Sequence, residues 1–188
     1  MTERTRLRLR PRLTPAQMDK VYSMPHDHRR YGRGHGERVA KTIEVAHQFP
    51  FDVLSVADLS CGNAAIARSF PDARLVLGDF APGYDIMGPI EETILKIDPV
   101  DLFILSETLE HLDDPGDLLC EVRDKTDLLV LSTPVDCWDD TNQEHYWAWS
   151  REGVEELLTD AGFDVLTYDT VDSRLYQEPY CYGIWSCQ

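Results

Sequence analysis

From residue 53 onward the apolar positions of this chain come in short unbroken runs rather than in strict alternation with polar ones. Residues 53–59, 74–77, 101–105, 128–132 and 163–168 are apolar nearly throughout, the pattern of strands buried on both faces. Between them, residues 64–70, 117–122 and 151–161 space their apolar residues as helices do, the last stopped by Gly162. Such alternation predicts an α/β fold: a parallel sheet covered by helices on both faces. Residues 180–187 are expected to add an antiparallel strand at its edge.

Upstream the pattern changes. Val39, Ile43, Val45 and Ala46 recur at spacings near three and four, which predicts an amphipathic helix over 37–49, ending before Pro50. Thr14 and Pro15 open a short helix, because threonine caps well and proline fits the first helical position. Residues 22–36 have no period and are expected to form a loop. Their rings, Tyr22, His26, His28 and Tyr31, make this loop a candidate lid, since polar rings outside regular structure need partners to become ordered. The chain thus divides into a basic arm and lid, residues 1–36, and an α/β domain, residues 37–188.

Composition narrows the function. A chain of 188 residues suits one domain burying about 70 % of its unfolded surface. No apolar run approaches the roughly 18 residues that span a bilayer, so no membrane partner is expected. The basic start never becomes the apolar core of a secretory leader. Cys61, Cys120, Cys137, Cys181 and Cys187 are odd in number and lack metal-type spacing, which points to free thiols in a reducing cytoplasm. The formal charge of −16 is uneven: residues 1–38 hold ten Lys/Arg against four Asp/Glu, a balance of +6 that leaves −22 for the remainder. Such an acidic body repels nucleic-acid backbones, and only the N-terminal arm can attract one. Arg4, Arg6, Arg8, Arg10 and Arg12 read either as a solvated leader or as an arm folding over an anionic substrate. Oligomeric state leaves no mark in the pattern.

In parallel α/β sheets ligands bind beyond the carboxyl ends of the strands. After the first strand stands Asp58-Leu59-Ser60-Cys61-Gly62-Asn63-Ala64-Ala65, whose small residues let the backbone pass close to a ligand. The G-x-G-x-x-G of nicotinamide dehydrogenases is absent. After the second strand, Asp79 offers a carboxylate able to accept hydrogen bonds from both hydroxyls of a ribose. After the third come Ser106-Glu107-Thr108-Leu109-Glu110-His111-Leu112 and a helix start at Asp113-Asp114-Pro115.

Over residues 38–163 these segments, in order, resemble the class I S-adenosylmethionine-dependent methyltransferases. Val56-Ala57-Asp58-Leu59-Ser60-Cys61-Gly62 looks like the family's glycine-rich loop, Gly78-Asp79-Phe80-Ala81-Pro82 like its ribose-binding acid, and Ile90-Glu91-Glu92 like its adenine-flanking turn. Residues 101–115 look like its fourth strand, and Ser132-Thr133-Pro134 fits after the next. The resemblance implies a Rossmann-like, seven-stranded, mostly parallel sheet with one antiparallel strand and an N-terminal helical lid. It implies S-adenosylmethionine as cofactor, and transfer of its methyl group to an oxygen or nitrogen of a small-molecule acceptor. By the same likeness Arg38, Asp58, Ser60, Cys61, Gly62, Asp79, Phe80 and Ser106 bind the cofactor, with Arg38 on its carboxylate. The loop departs from the family in having Asn63-Ala64-Ala65 where another glycine is usual, which leaves room for a non-catalytic cofactor-binding or scaffold protein.

Glu107, Glu110 and His111 stand at i, i+3 and i+4 and share a face if they form one helical turn; His145 can add a fourth ligand. This set resembles the metal site of the small-RNA 3′-terminal 2′-O-methyltransferases. That likeness implies a divalent metal, manganese or magnesium, on Glu107, Glu110, His111 and His145, and a ribose of RNA or of a nucleotide as acceptor. A Lewis acid lowers the pKa of a hydroxyl, a poor nucleophile near pH 7. In small-molecule enzymes of the class the same phrase occurs without metal, and His111, His145 or Glu107 then reads as a general base. Trp138, Tyr146, Trp147 and Trp149 form either an acceptor pocket or ordinary core.

Overall fold

The computed structural model describes residues 4–27 and 32–188, so His28 and Tyr31 of the expected lid lie outside the described residues. Strand β1 (Arg6–Arg8) precedes helices α1 (Pro15–Val21) and α2 (Arg33–Ala46). Strands β2 (Ser55–Asp58), β3 (Arg74–Asp79) and β4 (Ile86–Met87) follow, then α3 (Ile90–Thr93), β5 (Leu102–Ser106), α4 (Pro115–Arg123) and β6 (Leu128–Val135). The chain closes with β7 (Trp147–Trp149), α5 (Arg151–Asp160), β8 (Val165–Asp172) and β9 (Cys181–Cys187).

Seven strands form one sheet in the order β4-β3-β2-β5-β6-β9-β8, with β9 alone antiparallel to the others. Phe103, Leu105, Leu129 and Leu131 pack one face against α3, α4 and α5, while Leu102, Ile104, Leu128 and Val130 pack the other against α2. This is the expected architecture of a mostly parallel sheet covered on both sides. The antiparallel strand, however, is interior, not at the edge. Tyr182 to Cys187 are all buried and include small or apolar residues that tolerate cover on both faces. The edge falls to β8, whose Thr167, Asp169, Thr170 and Asp172 need water.

Two helix expectations change for local reasons. Residues 64–70 form only a 3-10 turn at Ala67–Ser69, because Ala64 has a φ of 57° and cannot begin a right-handed helix. Helix α2 begins at Arg33, inside the expected loop. Its N-terminus is capped from far along the chain: Glu178 accepts the Gly34 and His35 amides at 2.7 and 2.9 Å. Glycine at 32 and 34 makes this docking possible, since a Cβ there would collide with Glu178 or Ser173.

The basic arm, over its described residues, is not a solvated leader. β1 pairs antiparallel with β7. Arg8 lies on the ring of Trp147, 4.9 Å from its centroid, and pairs with Asp113; Arg10 donates to the Asp140 carbonyl, and Arg12 meets Glu91 at 2.9 Å. The aromatic cluster serves mainly as core: Tyr146 and Trp149 are wholly buried, and the indoles of Trp147 and Trp149 donate to the carbonyls of Leu112 and Pro134. Among the described residues no helix is long and apolar enough to cross a membrane.

The arm rests on α5 through Thr5, whose carbonyl accepts the Ser150 amide at 3.0 Å and lies where a Cβ on Gly153 would be. Gly153→Ala should therefore push the arm off the body. Tryptic cleavage after Arg6 and Arg8 should quicken at least several-fold while Tm moves by no more than about 4 °C, a loss near 1 kcal/mol for a domain of this size. Equal cleavage rates in wild type and variant would contradict the docking.

Candidate functional site

A cavity of about 540 Å³ opens beyond the carboxyl ends of β2, β3 and β5. Ser60, Gly62, Asp79, Phe80 and Ser106 line it from the sheet, while Met18, Tyr22 and His26 line it from the N-terminal segment. Tyr22 bridges two groups of residues, its ring centroid 5.3 Å from that of Phe80 and 6.5 Å from that of His111.

The first group surrounds Asp79. Its Oδ2 accepts the Gly62 amide at 2.7 Å and its Oδ1 the Ala81 amide at 2.9 Å, so the acid and the glycine-rich turn are locked together in one crevice. A carboxylate oxygen has two acceptor sites, so one on each oxygen remains for a ligand. Ala64 adopts a φ of 57°, the left-handed region that glycine normally fills, and alanine carries it as strain. Ser60 Oγ lies 2.6 Å from Thr108 Oγ1, joining this loop to the segment after β5.

Arg38 is completely buried at the floor. Its guanidinium donates to the hydroxyls of Ser106 and Ser132, stands 3.3 Å from His35 Nε2, and packs on the ring of Tyr182. Asp58 and Cys61 lie outside the cavity lining. Asp58 sits beneath the loop, accepting the Ser60 amide at 3.4 Å, and burial pushes its carboxyl up to about 8. The Cys61 thiol is buried and points to the Gly62 carbonyl.

The second group lies beyond β5 and β6. No helical turn spans 107–111. The Glu107 amide donates to the Ser132 carbonyl at 2.8 Å and so still belongs to the sheet ladder; its φ of 53° then swings the chain into a 3-10 turn at Leu109–His111. The turn brings Glu110 and His111 to His145, their ligand atoms within 4.8 Å of one another; Glu107 lines the cavity but stands outside this trio.

Each imidazole is held by its Nδ1. His111 Nδ1 lies 2.9 Å from the Glu144 carbonyl, which can only accept, so Nδ1 carries the proton and Nε2 keeps its lone pair, 3.9 Å from Glu110 Oε1. His145 Nδ1 lies 2.6 Å from Asp140 Oδ2, both side chains almost sealed from water. Glu110 Oε2 accepts the Thr133 hydroxyl at 2.9 Å, but Glu110 Oε1 and Glu107 Oε1 are buried with no partner. Burial pushes both carboxyls up, opposed by Arg38 at Glu107 and chiefly by His145 at Glu110. Burial, and then His145, lowers His111 to about 3, so its ring is neutral near pH 7.

Asp140, the Glu144 carbonyl, Glu178 and Tyr180 belong to no motif in the sequence, and Thr133 stands there only within Ser132-Thr133-Pro134.

No family model and no curated protein matches the sequence. Solved structures do match. A Burkholderia thailandensis 1,6-didemethyltoxoflavin-N1-methyltransferase, with bound 1,6-didemethyltoxoflavin and S-adenosylhomocysteine, aligns at a TM-score of 0.68 and 15% identity over 95% of this chain and 91% of that one. Magnesium protoporphyrin IX methyltransferase from Synechocystis PCC 6803, with bound SAM, aligns at 0.60 and 14% identity over 82% and 79%. A small RNA methyltransferase aligns at 0.57 and 19% identity over 81% of this chain but a quarter of its own. With the crevice at the carboxyl ends of its strands and one antiparallel strand in its sheet, the chain has the fold of the class I S-adenosylmethionine-dependent methyltransferases.

Proposed function

We propose that this protein transfers the methyl group of S-adenosylmethionine to a hydroxyl of a small-molecule acceptor, using a divalent cation held by Glu110, His111 and His145 with Glu107 beside them. The observation that carries the reading is Glu110 Oε1. A buried carboxylate oxygen without a donor is costly. Here it faces an imidazole nitrogen that is itself stripped of its proton, and a second imidazole is oriented beside it. A cation satisfies all three at once. Mixed carboxylate and imidazole donors suit manganese, iron or cobalt better than calcium. Such an ion lowers the pKa of a hydroxyl bound to it.

The cofactor half fits an adenosyl group. Asp79 keeps acceptor sites for a ribose, and Phe80, Ile90 and Leu112 supply apolar surface beside it. The first two neighbours named above carry S-adenosylhomocysteine or SAM, which supports the assignment. We assign Arg38 to the floor under Ser106, and Asp58 to bracing the loop from below. Methyl transfer then requires that the acceptor oxygen be aligned with the sulfonium and relieved of its proton.

A small acceptor is favoured over a long RNA. The body carries −22 outside residues 1–38, and the arm's Arg8, Arg10 and Arg12 are engaged within the molecule. Five free thiols suit the cytoplasm, where we place the protein. One observation favours a second reading. The His145–Asp140 pair, at 2.6 Å, has the form of a general base and its orienting acid, and serves a metal-free transfer equally well.

Asp79→Ala should weaken S-adenosylhomocysteine binding about 10- to 100-fold in calorimetry, the loss of charge-assisted hydrogen bonds worth about 1.5–3 kcal/mol. Unchanged affinity would remove the cofactor assignment. S-adenosylhomocysteine release over a panel of small polyols, sugars and nucleosides should vanish after dialysis against a chelator and return with manganese or cobalt. Full activity in chelator would select the His145–Asp140 base instead.

A further inference from the structure

Tyr180 ends the segment that joins β8 to β9, and the function proposed above gives it no part. Its ring centroid lies 5.3 Å from that of His145, and its hydroxyl donates to Asp140 Oδ1 at 3.2 Å. That oxygen also accepts the Asn142 amide at 2.8 Å, while Oδ2 faces His145 Nδ1 at 2.6 Å. The Asp140 carboxylate is therefore fixed at both ends.

The segment that delivers Tyr180 is itself anchored at some cost to the backbone. Glu178 docks on the first amides of α2, in space that glycine at 32 and 34 leaves open. Gln177 adopts a left-handed φ of 65°, and Ser173, wholly buried, donates both its amide and its hydroxyl to the Tyr180 carbonyl. Strained turns of this kind persist where the surroundings over-determine them, commonly beside functional sites.

We propose that Tyr180 is a positioning residue: through Asp140 it sets the orientation and tautomer of His145 for a divalent cation. The inference rests on the cation reading above. A carboxylate that accepts the Nδ1–H hydrogen bond of a histidine leaves Nε2 as the ligand atom, and losing such an outer partner typically weakens metal binding 10- to 100-fold. Without the Tyr180 hydroxyl, Asp140 Oδ1 keeps only the Asn142 amide, and the carboxylate is free to turn.

The test is a cobalt(II) titration of wild type and Tyr180→Phe, followed by calorimetry and by the visible absorption of the bound ion. Tyr180→Phe keeps the ring and should bind cobalt(II) about 10-fold more weakly, with a changed absorption band. Wild type that takes up no cobalt(II) overturns the cation reading and this inference together. Wild type that binds, with Tyr180→Phe matching it in affinity and spectrum, overturns the role of Tyr180 alone. A metal-free measurement covers a variant of lowered stability: the His145 Nδ1 proton should resonate far downfield in the NMR spectrum of wild type and move upfield or broaden in Tyr180→Phe. The same resonance in both proteins also overturns the proposal.

Discussion

Two-sided burial of β5 and β6 governs the rest of this structure. From Leu102 to Leu105 and from Leu128 to Leu131 every side chain is covered on one face of the sheet or the other, so no polar group can stand there without a large desolvation cost. Polar side chains first appear at Ser106, the last residue of β5, and beside it at Ser132 and Thr133 within β6. These three are already committed: two hydroxyls meet Arg38 and one meets Glu110. The acids and histidines of the site follow in the next turns. The crevice is thus the nearest place at which the chain can turn polar, and that is why its chemistry collects there.

The same constraint explains the three buried ionisable groups beneath the crevice. Arg38 enters from α2 on one side of the sheet, and Glu107 and Glu110 from the turn after β5. In low dielectric each lowers the cost of the other, but one guanidinium faces two carboxylates, and an oxygen on each of these remains without a donor. The N-terminal arm redistributes charge at longer range. Its Arg8, Arg10 and Arg12 turn inward onto Trp147, Asp113, Asp140 and Glu91, and Arg12 lines the cavity, although composition alone would assign them to a solvated tail.

Some of the site was legible because it is written in local order. Asp79 after the second strand, the small residues around Gly62, and the Glu110-His111 pair before Asp113-Asp114-Pro115 are short motifs at strand ends, and Asp79, Gly62 and His111 all line the cavity. Other parts were misread for the same reason. The i, i+3, i+4 spacing at Glu107 suggested a helical turn, but its amide answers to Ser132, a neighbour only in space. The start of α2 was hidden because its cap, Glu178, stands 144 residues from Gly34. The core role of Tyr146 and Trp149 was open until β1 and β6 closed over them.

Periodicity and motif order by themselves determined the fold class, the strands buried on both faces, and the ends of the sheet to which chemistry belongs, because hydrophobic patterning acts between residues a few positions apart. Tertiary structure alone decided that β9 is interior, that His145 joins Glu110 and His111 while Glu107 stands aside, and that Asp140 and Tyr180 stand behind His145. Those outcomes depend on hydrogen bonds and packing between segments tens of residues apart, and a linear pattern carries no record of which distant groups will meet.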